Sequence, residues 1–337
     1  MGGSLVIGSC SGNFYVLDRY TGELRWQYDI HQDGKQTSFH GDPLVTPDGL
    51  VLLGTDLSCA PEGIGHVYAF DIKNKTVKWK QKFVSGITTP IAESDGALFF
   101  GGVRDTWYKA DTRTGNITWE YQASESNQCG VPRAPIIVAG KVFLVAQDGI
   151  IHVIDTVSGK LVQKIQPPSR PETALVRYDE AILFGAADGA IYTLNPTSFD
   201  LKPFMHLEGT PTGRIRITNE RLVVFIRKAE HRGAVVFLNP STRKVEWTNT
   251  AESEWSSDVP QIWKGLVLAG NCQGKLLAMS VLTGEQVWSE QLKGCIRSIG
   301  ISEHVLYVGA QEGQLYAVRV PDKKTKNSTV SGRPNAH

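Results

Sequence analysis

Apolar residues come along this chain in short runs broken by glycine turns. Val142-Phe143-Leu144-Val145-Ala146 is followed by Gln147-Asp148-Gly149 and then by Ile150-Ile151-His152-Val153-Ile154. Asp-Gly between two apolar runs is a strong hairpin signal. Similar turns stand at Asp188-Gly189, Gln273-Gly274 and Glu312-Gly313. Ahead of such pairs comes a short stretch that often carries proline, as in Gly41-Asp42-Pro43-Leu44-Val45, Thr88-Thr89-Pro90-Ile91-Ala92, Arg133-Ala134-Pro135-Ile136-Ile137-Val138 and Asp258-Val259-Pro260-Gln261-Ile262. Behind the pair come a polar turn and a tryptophan. The pattern predicts an all-β chain of four-stranded units, with strands A to D from the inside outwards. Proline is tolerated in strand A because one of its sides is open.

One segment recurs: Tyr15-Val16-Leu17-Asp18-Arg19-Tyr20-Thr21-Gly22-Glu23-Leu24-Arg25-Trp26. It returns around Asp71 with Trp79, around Asp111 with Gly115 and Trp119, and around Ser280 with Gly284 and Trp288. Asp155, Asn195, Asn239 with Trp247, and Arg319 anchor weaker copies. The eight anchors lie about 43 residues apart, the length of one propeller blade. Five of the eight tryptophans stand eight residues behind an anchor. The acidic or amide anchor closes a turn by accepting backbone N–H bonds. The glycine takes positive φ without a steric penalty. The tryptophan covers apolar surface and wedges between neighbouring sheets, its indole N–H reaching a carbonyl. These expectations make residues 1–320 a single β-propeller of about eight four-stranded blades, with seven as the alternative count. Residues 321–337, nearly free of apolar side chains, are expected to be disordered.

On these residues the chain resembles the PQQ-like β-propeller repeat family, whose members include the lipoprotein of the outer-membrane β-barrel assembly machine and sensor domains of bacterial kinases. The resemblance covers roughly residues 5–320. It implies a propeller joined by its tryptophan strands and does not by itself imply an activity. Copy one lacks strand A and copy eight lacks strand D. One expectation is a longer precursor with roughly 20 further residues upstream, half a repeat. The other is a complete chain with three-stranded terminal blades. The compartment stays open with that choice: extracytoplasmic by resemblance in the first case, cytoplasmic in the second.

Charge and composition narrow the function classes. The 35 basic and 34 acidic residues leave a formal net charge of +1, which gives no electrostatic case for nucleic acid or an anionic membrane. No apolar run is long enough to span a bilayer. The five cysteines show no CxxC spacing, so a zinc site is unsupported. Cys10 and Cys59 occupy equivalent turns of adjacent blades and are the candidate disulfide; Cys129, Cys272 and Cys295 read as thiols. Gly8-Ser9-Cys10-Ser11-Gly12 mimics a nucleophile elbow, but in a β-turn rather than the strand-to-helix turn an elbow needs. Asn74, Asn116 and Asn327 open glycosylation sequons by pattern alone.

Candidate binding residues come from the register. Strand direction puts the D–A loops and B–C turns on one face, and the longer loops gather there: residues 29–41, 55–65, 123–131, 227–233 and 248–257. Arg133, Asp258 and Arg297 each stand 22 residues before an anchor, as do Thr89 and Thr173. They should start strand A at a common height, with Arg214, Arg216, His40 and Asp42 nearby. Arginines converging there suit a carboxylate or phosphate. The plainer reading is an internal salt-bridge ring with Asp258. Trp255, among Glu252, Glu254 and Ser256, is the candidate aromatic contact.

The leading functional expectation is a non-catalytic, monomeric scaffold that binds protein partners through this face, without cofactor or metal. The alternative implied by the resemblance is a quinoprotein dehydrogenase holding pyrroloquinoline quinone and calcium. Against it, this chain has no adjacent Cys-Cys pair, and only Asp42 and Asp258 offer carboxylates for a cation that needs six or more oxygens. A hydrolase or lyase using His40 or His152 is a third, weaker reading.

Overall fold

The computed structural model describes residues 3–56, 64–125, 133–255, 260–311 and 313–320. Asp258, Cys59, Cys129, Asn327 and the 321–337 tail lie outside them. Among the described residues every regular element is a strand, apart from the single 3-10 turns Ile30–Asp33 and Ala229–His231. The strands form eight consecutive antiparallel sheets, the blades of a β-propeller. The chain divides into two compact units, residues 1–217 and 218–337.

Blade one has three strands, Ser4–Gly8, Asn13–Asp18 and Leu24–Asp29, in the places of B, C and D. Blades two to seven have four each. Blade eight ends with Ile296–Ser302, Val305–Ala310 and Gln314–Arg319, in the places of A, B and C. The burial pattern follows position. Strand B of blade two, Leu50–Asp56, is buried along its whole length, while strand D, Thr76–Phe83, alternates exposed and half-buried residues. Both faces of an inner strand meet neighbouring sheets, so its sequence reads as a continuous apolar run.

The prolines need a correction. Of the four quoted, Pro43 alone lies inside its strand, Ser38–Val45, where the pairing with strand B is interrupted between His40 and Leu44. Pro90, Pro135 and Pro260 stand just ahead of the strand or its flanking residue instead. Proline has no N–H to give a ladder, so regular pairing starts after it.

The anchors act as turn closers. Asp18 Oδ1 accepts the N–H groups of Tyr20 and Thr21, at 2.7 and 3.0 Å. Asp111 and Asp155 repeat the arrangement, as do Asn195 and Asn239 through their amide oxygens. The tryptophans join neighbouring blades. Trp79 Nε1 donates to the carbonyl of Thr112 (3.1 Å), Trp119 to Thr156 (3.1 Å) and Trp247 to Val281 (2.8 Å). Each acceptor directly follows the anchor of the next blade. Every C–D pair also carries a one-residue register shift. In blades one to four, six and seven it leaves unpaired the residue just before the +8 position, which Thr118 shows in blade three. In blade five the shift falls at Phe204, two residues later.

Candidate functional site

In the first unit, the starts of the inner strands form a polar rim. Thr89 and Thr173 do not contribute to it. Both are fully buried, and each hydroxyl accepts the backbone N–H of a strand-B glycine: Gly101 at 2.7 Å and Gly185 at 2.8 Å. Thr55 does the same for His66 N–H at 3.0 Å. Buried backbone donors must be paired, so these threonines are structural.

The charged residues behave differently. Arg214 pairs with Asp42 at 3.0 Å, and Arg133 with Glu172 at 3.6 Å. Gly41, at φ +75°, brings strand A of blade two so close to Thr89 and Pro90 that an added Cβ would stand 3.1 Å from their backbone. Thr173 bridges Gly213 in parallel, which places Arg214 in the middle of the next inner strand, Thr210–Thr218. His40 Nε2 lies 3.2 Å from Asp56 Oδ1, and Ser38 donates to the same oxygen at 2.5 Å. Asp56 is 4% exposed, so His40 is held from below by a buried carboxylate. Serine and histidine share one aspartate oxygen here, which is not the Ser–His contact of a nucleophile relay.

Two members of this rim escaped the sequence reading. Glu172 precedes Thr173, the register position, and its charge gave a usable signal. Asp56 falls in the stretch read as an insertion from residue 55, but it closes strand B, Leu50–Asp56. The expected ring partner Asp258 lies outside the described residues; Arg214 and Arg133 pair with Asp42 and Glu172. Arg216 is exposed on the same strand as Arg214.

Arg297 and Trp255 belong to the second unit. Arg297 is exposed near the start of Ile296–Ser302. Trp255 is half-buried, stacked on Phe225 with ring centroids 5.9 Å apart. Cys272 and Cys295 are disulfide-bonded rather than free thiols. They stand in the B–C turn of blade seven and at the start of blade eight, where Ile296 N–H already donates to Asn271 O. Cys10 is an exposed free thiol.

Two buried networks lie at blade boundaries. Asp33 accepts from Tyr28 (2.6 Å) and Tyr68 (2.9 Å) and pairs with Lys80. Burial opposes its charge, but Lys80 and the two phenols outweigh that and hold its carboxyl below the usual range. Burial first, then Asp33, pushes both tyrosines far up. His152, fully buried, shares its Nδ1 with Tyr121 OH at 2.9 Å, and burial pushes its pKa down. A neutral imidazole packed in this way is structural.

The described residues do not fit a quinone–calcium centre. Among the described residues no group of three His, Cys, Asp or Glu side chains could hold a metal ion. Asp42 and Glu172 are each engaged by an arginine, and Asp56 by Ser38 and His40. A calcium ion asks for six to eight oxygens in one place.

Fold, repeat and blade docking define a PQQ-like β-propeller. The family model described as outer membrane protein assembly factor BamB matches residues 11–181 and 187–335, and the chain belongs to that family. It is 22% identical over 195 residues to BamB of Taylorella asinigenitalis (strain MCE3), covering 56% of this chain and 48% of that protein. It is 23% identical over 210 residues to the polyvinylalcohol dehydrogenase of Sphingopyxis sp. (strain 113P3), covering 49% of this chain and 32% of that one. The matches thus span about a half and a third of these relatives. The crystal structure of BamB from Moraxella catarrhalis superposes with a TM-score of 0.73 at 17% identity, covering 95% of each chain. No helix among the described residues is long and apolar enough to cross a membrane.

Proposed function

We propose that this chain is a non-catalytic scaffold that binds a protein partner through the loop face of its first unit. The observation that carries this reading is the two half-exposed ion pairs, Arg214–Asp42 within inner strands and Arg133–Glu172 in the segments just ahead of them. Exposed pairs of this kind hold each other weakly, by about 0–1 kcal/mol. They can exchange partners across an interface at little loss and impose charge complementarity on it. Membership of the BamB family supports the reading. The likeness to a dehydrogenase covers a third of that enzyme, and the carboxylates here are already committed. The disulfide suits an oxidising compartment and so supports an extracytoplasmic location.

A photo-crosslinking residue at Asp42 tests the proposal in the native host, with Arg133→Glu/Arg214→Glu as the loss-of-binding variant. A discrete adduct that disappears in the variant and weakens with salt is expected. A saturable thermal shift with pyrroloquinoline quinone and calcium, with dye reduction by an alcohol, would instead establish the dehydrogenase.

A further inference from the structure

Where blades six and seven meet, two repeat positions that carry rings at the boundaries of blades one with two and three with four carry smaller side chains. Ten residues behind the anchor stand Tyr28 in blade one and Tyr121 in blade three, but Asn249 in blade six. Three residues before the next anchor stand Tyr68 and His152, but Leu277 in blade seven. In the first two places the rings meet across the boundary, with centroids 5.9 and 5.8 Å apart. In the third, a groove of 360 Å³ opens, lined in part by Asn249, Glu252, Trp255, Lys275, Leu277 and Gln286.

The groove keeps the surroundings of a phenol and lacks the phenol. Leu277, 4% exposed, gives an apolar floor. Asn249 spends an amide N–H on Gly284 O at 2.8 Å. The indole Nε1 of Trp255 is buried and meets no acceptor among the described residues. A buried donor left in this state is costly unless something completes it. Tyr28 donates to Asp33, in the loop that follows its own strand D, with Lys80 alongside. Glu252 occupies the corresponding loop after strand Lys244–Ala251, and Lys275 lines the same groove.

We propose that this groove receives a tyrosine side chain from a protein partner, in the place that Tyr28 and Tyr121 fill in blades one and three. The inference rests on the scaffold reading and supplies an anchor for it. The partner's ring lies on Leu277 beside Trp255, and its hydroxyl accepts from the indole N–H and donates to Glu252. Aromatic anchors seated in pockets dominate protein interfaces, and Tyr combines a large apolar surface with one polar tip.

The full chain, labelled with ¹⁵N, is titrated with p-cresol, toluene and N-acetyl-L-tyrosinamide while the indole N–H resonance of Trp255 is followed, assigned through Trp255→Phe. Saturable shifts are expected with p-cresol and N-acetyl-L-tyrosinamide, at least fivefold weaker with toluene. Asn249→Tyr should abolish them with no fall in melting temperature, because it supplies the ring internally. Should that variant misfold, Glu252→Gln serves, with p-cresol affinity expected to drop at least fivefold. No saturable shift, an equal response to toluene, or undiminished binding in a folded Asn249→Tyr or Glu252→Gln variant overturns the proposal. Binding of p-cresol without N-acetyl-L-tyrosinamide also overturns it, in favour of a free phenol. The charge reversals at Arg133 and Arg214 leave this groove untouched, so failure here is separable from failure of the scaffold reading.

Discussion

The indole of Trp79 lies so close over Gly115 that a Cβ on the glycine would stand 2.5 Å from the ring. Trp119 over Gly159 and Trp247 over Gly284 repeat this, at 2.6 and 2.5 Å. The glycine of each Thr-Gly turn therefore meets two demands, positive φ and a seat for the previous blade's tryptophan. Gly22 has the same turn and φ of +77°, with nothing within 4 Å of its added Cβ. Gly115→Ala should thus cost roughly 2–4 kcal/mol, from backbone strain and overpacking together. Gly22→Ala should cost only the backbone part, roughly 1 kcal/mol. Urea melts of the two variants check the difference, and equal losses would remove the ring contact as the cause.

Between blades four and five the aromatic partner is reversed. Gln163 pairs with Val153, just as Trp119 pairs with Lys109, so it holds the tryptophan's place. The turn of blade five has Phe199 where glycine is usual, at φ +63°, and Phe199 packs into the core near Phe143 with centroids 6.4 Å apart. Phe199→Gly should cost about 2–4 kcal/mol through the lost ring. Gln163→Trp alone should clash. The double variant should be more stable than the sum of the singles by at least about 1 kcal/mol, a coupling expected of touching residues. Additive melts would contradict the reversal.

The sequence carried this docking only in part. The spacing of Asp18 and Trp26, and of Asp111 and Trp119, revealed the repeat and the carbonyl-seeking indole, because both are local in the chain. That Gly115 is the floor for Trp79 was not legible, since 36 positions separate them and the glycine already had a reason to be there. Blade five looked degenerate because Pro203 holds the tryptophan's place and the bulge sits two residues late, at Phe204. At the rim, the register found Arg133, and His40, Asp42 and Arg214 were placed near it. It also swept in Thr89 and Thr173, because spacing alone cannot tell a hydroxyl turned into its own sheet from a side chain facing solvent. The Cys272–Cys295 pairing was missed because a sequence separation of 23 says nothing about two turns meeting in space.

Removing that disulfide should be expensive. Closing a loop of this length restricts the unfolded chain by about 3 kcal/mol. Cys272→Ser/Cys295→Ser, or reduction of the native protein, should lower the urea midpoint accordingly. Unchanged midpoints would show that the bond contributes nothing to the fold.

Acid should loosen the turns. Backbone N–H bonds hold the carboxyls of Asp18, Asp71 and Asp155 below the usual range, and at Asp111 the Thr114 side chain leads. A lowered folded pKa gives stability that is complete above the unfolded value, about 4, and is lost as pH falls through the folded value. Asn195 and Asn239 make the same turns without titrating. Asp111→Asn/Asp155→Asn should therefore lose stability less steeply than wild type below about pH 4. Denaturant midpoints across that range, parallel in the two proteins, would argue against the anchors as acid-sensitive points.

The register shift in each outer strand leaves that strand with slack. The bulge can move along that strand without shifting the hairpin inside it: blade five carries it two residues later than blade four, at Phe204, while the pairs on either side keep the same register. Inner hairpins and their anchors are thereby insulated from small length errors at the periphery. A repeat built in this way can drift, duplicate and exchange its rim chemistry while the joints between blades keep their form.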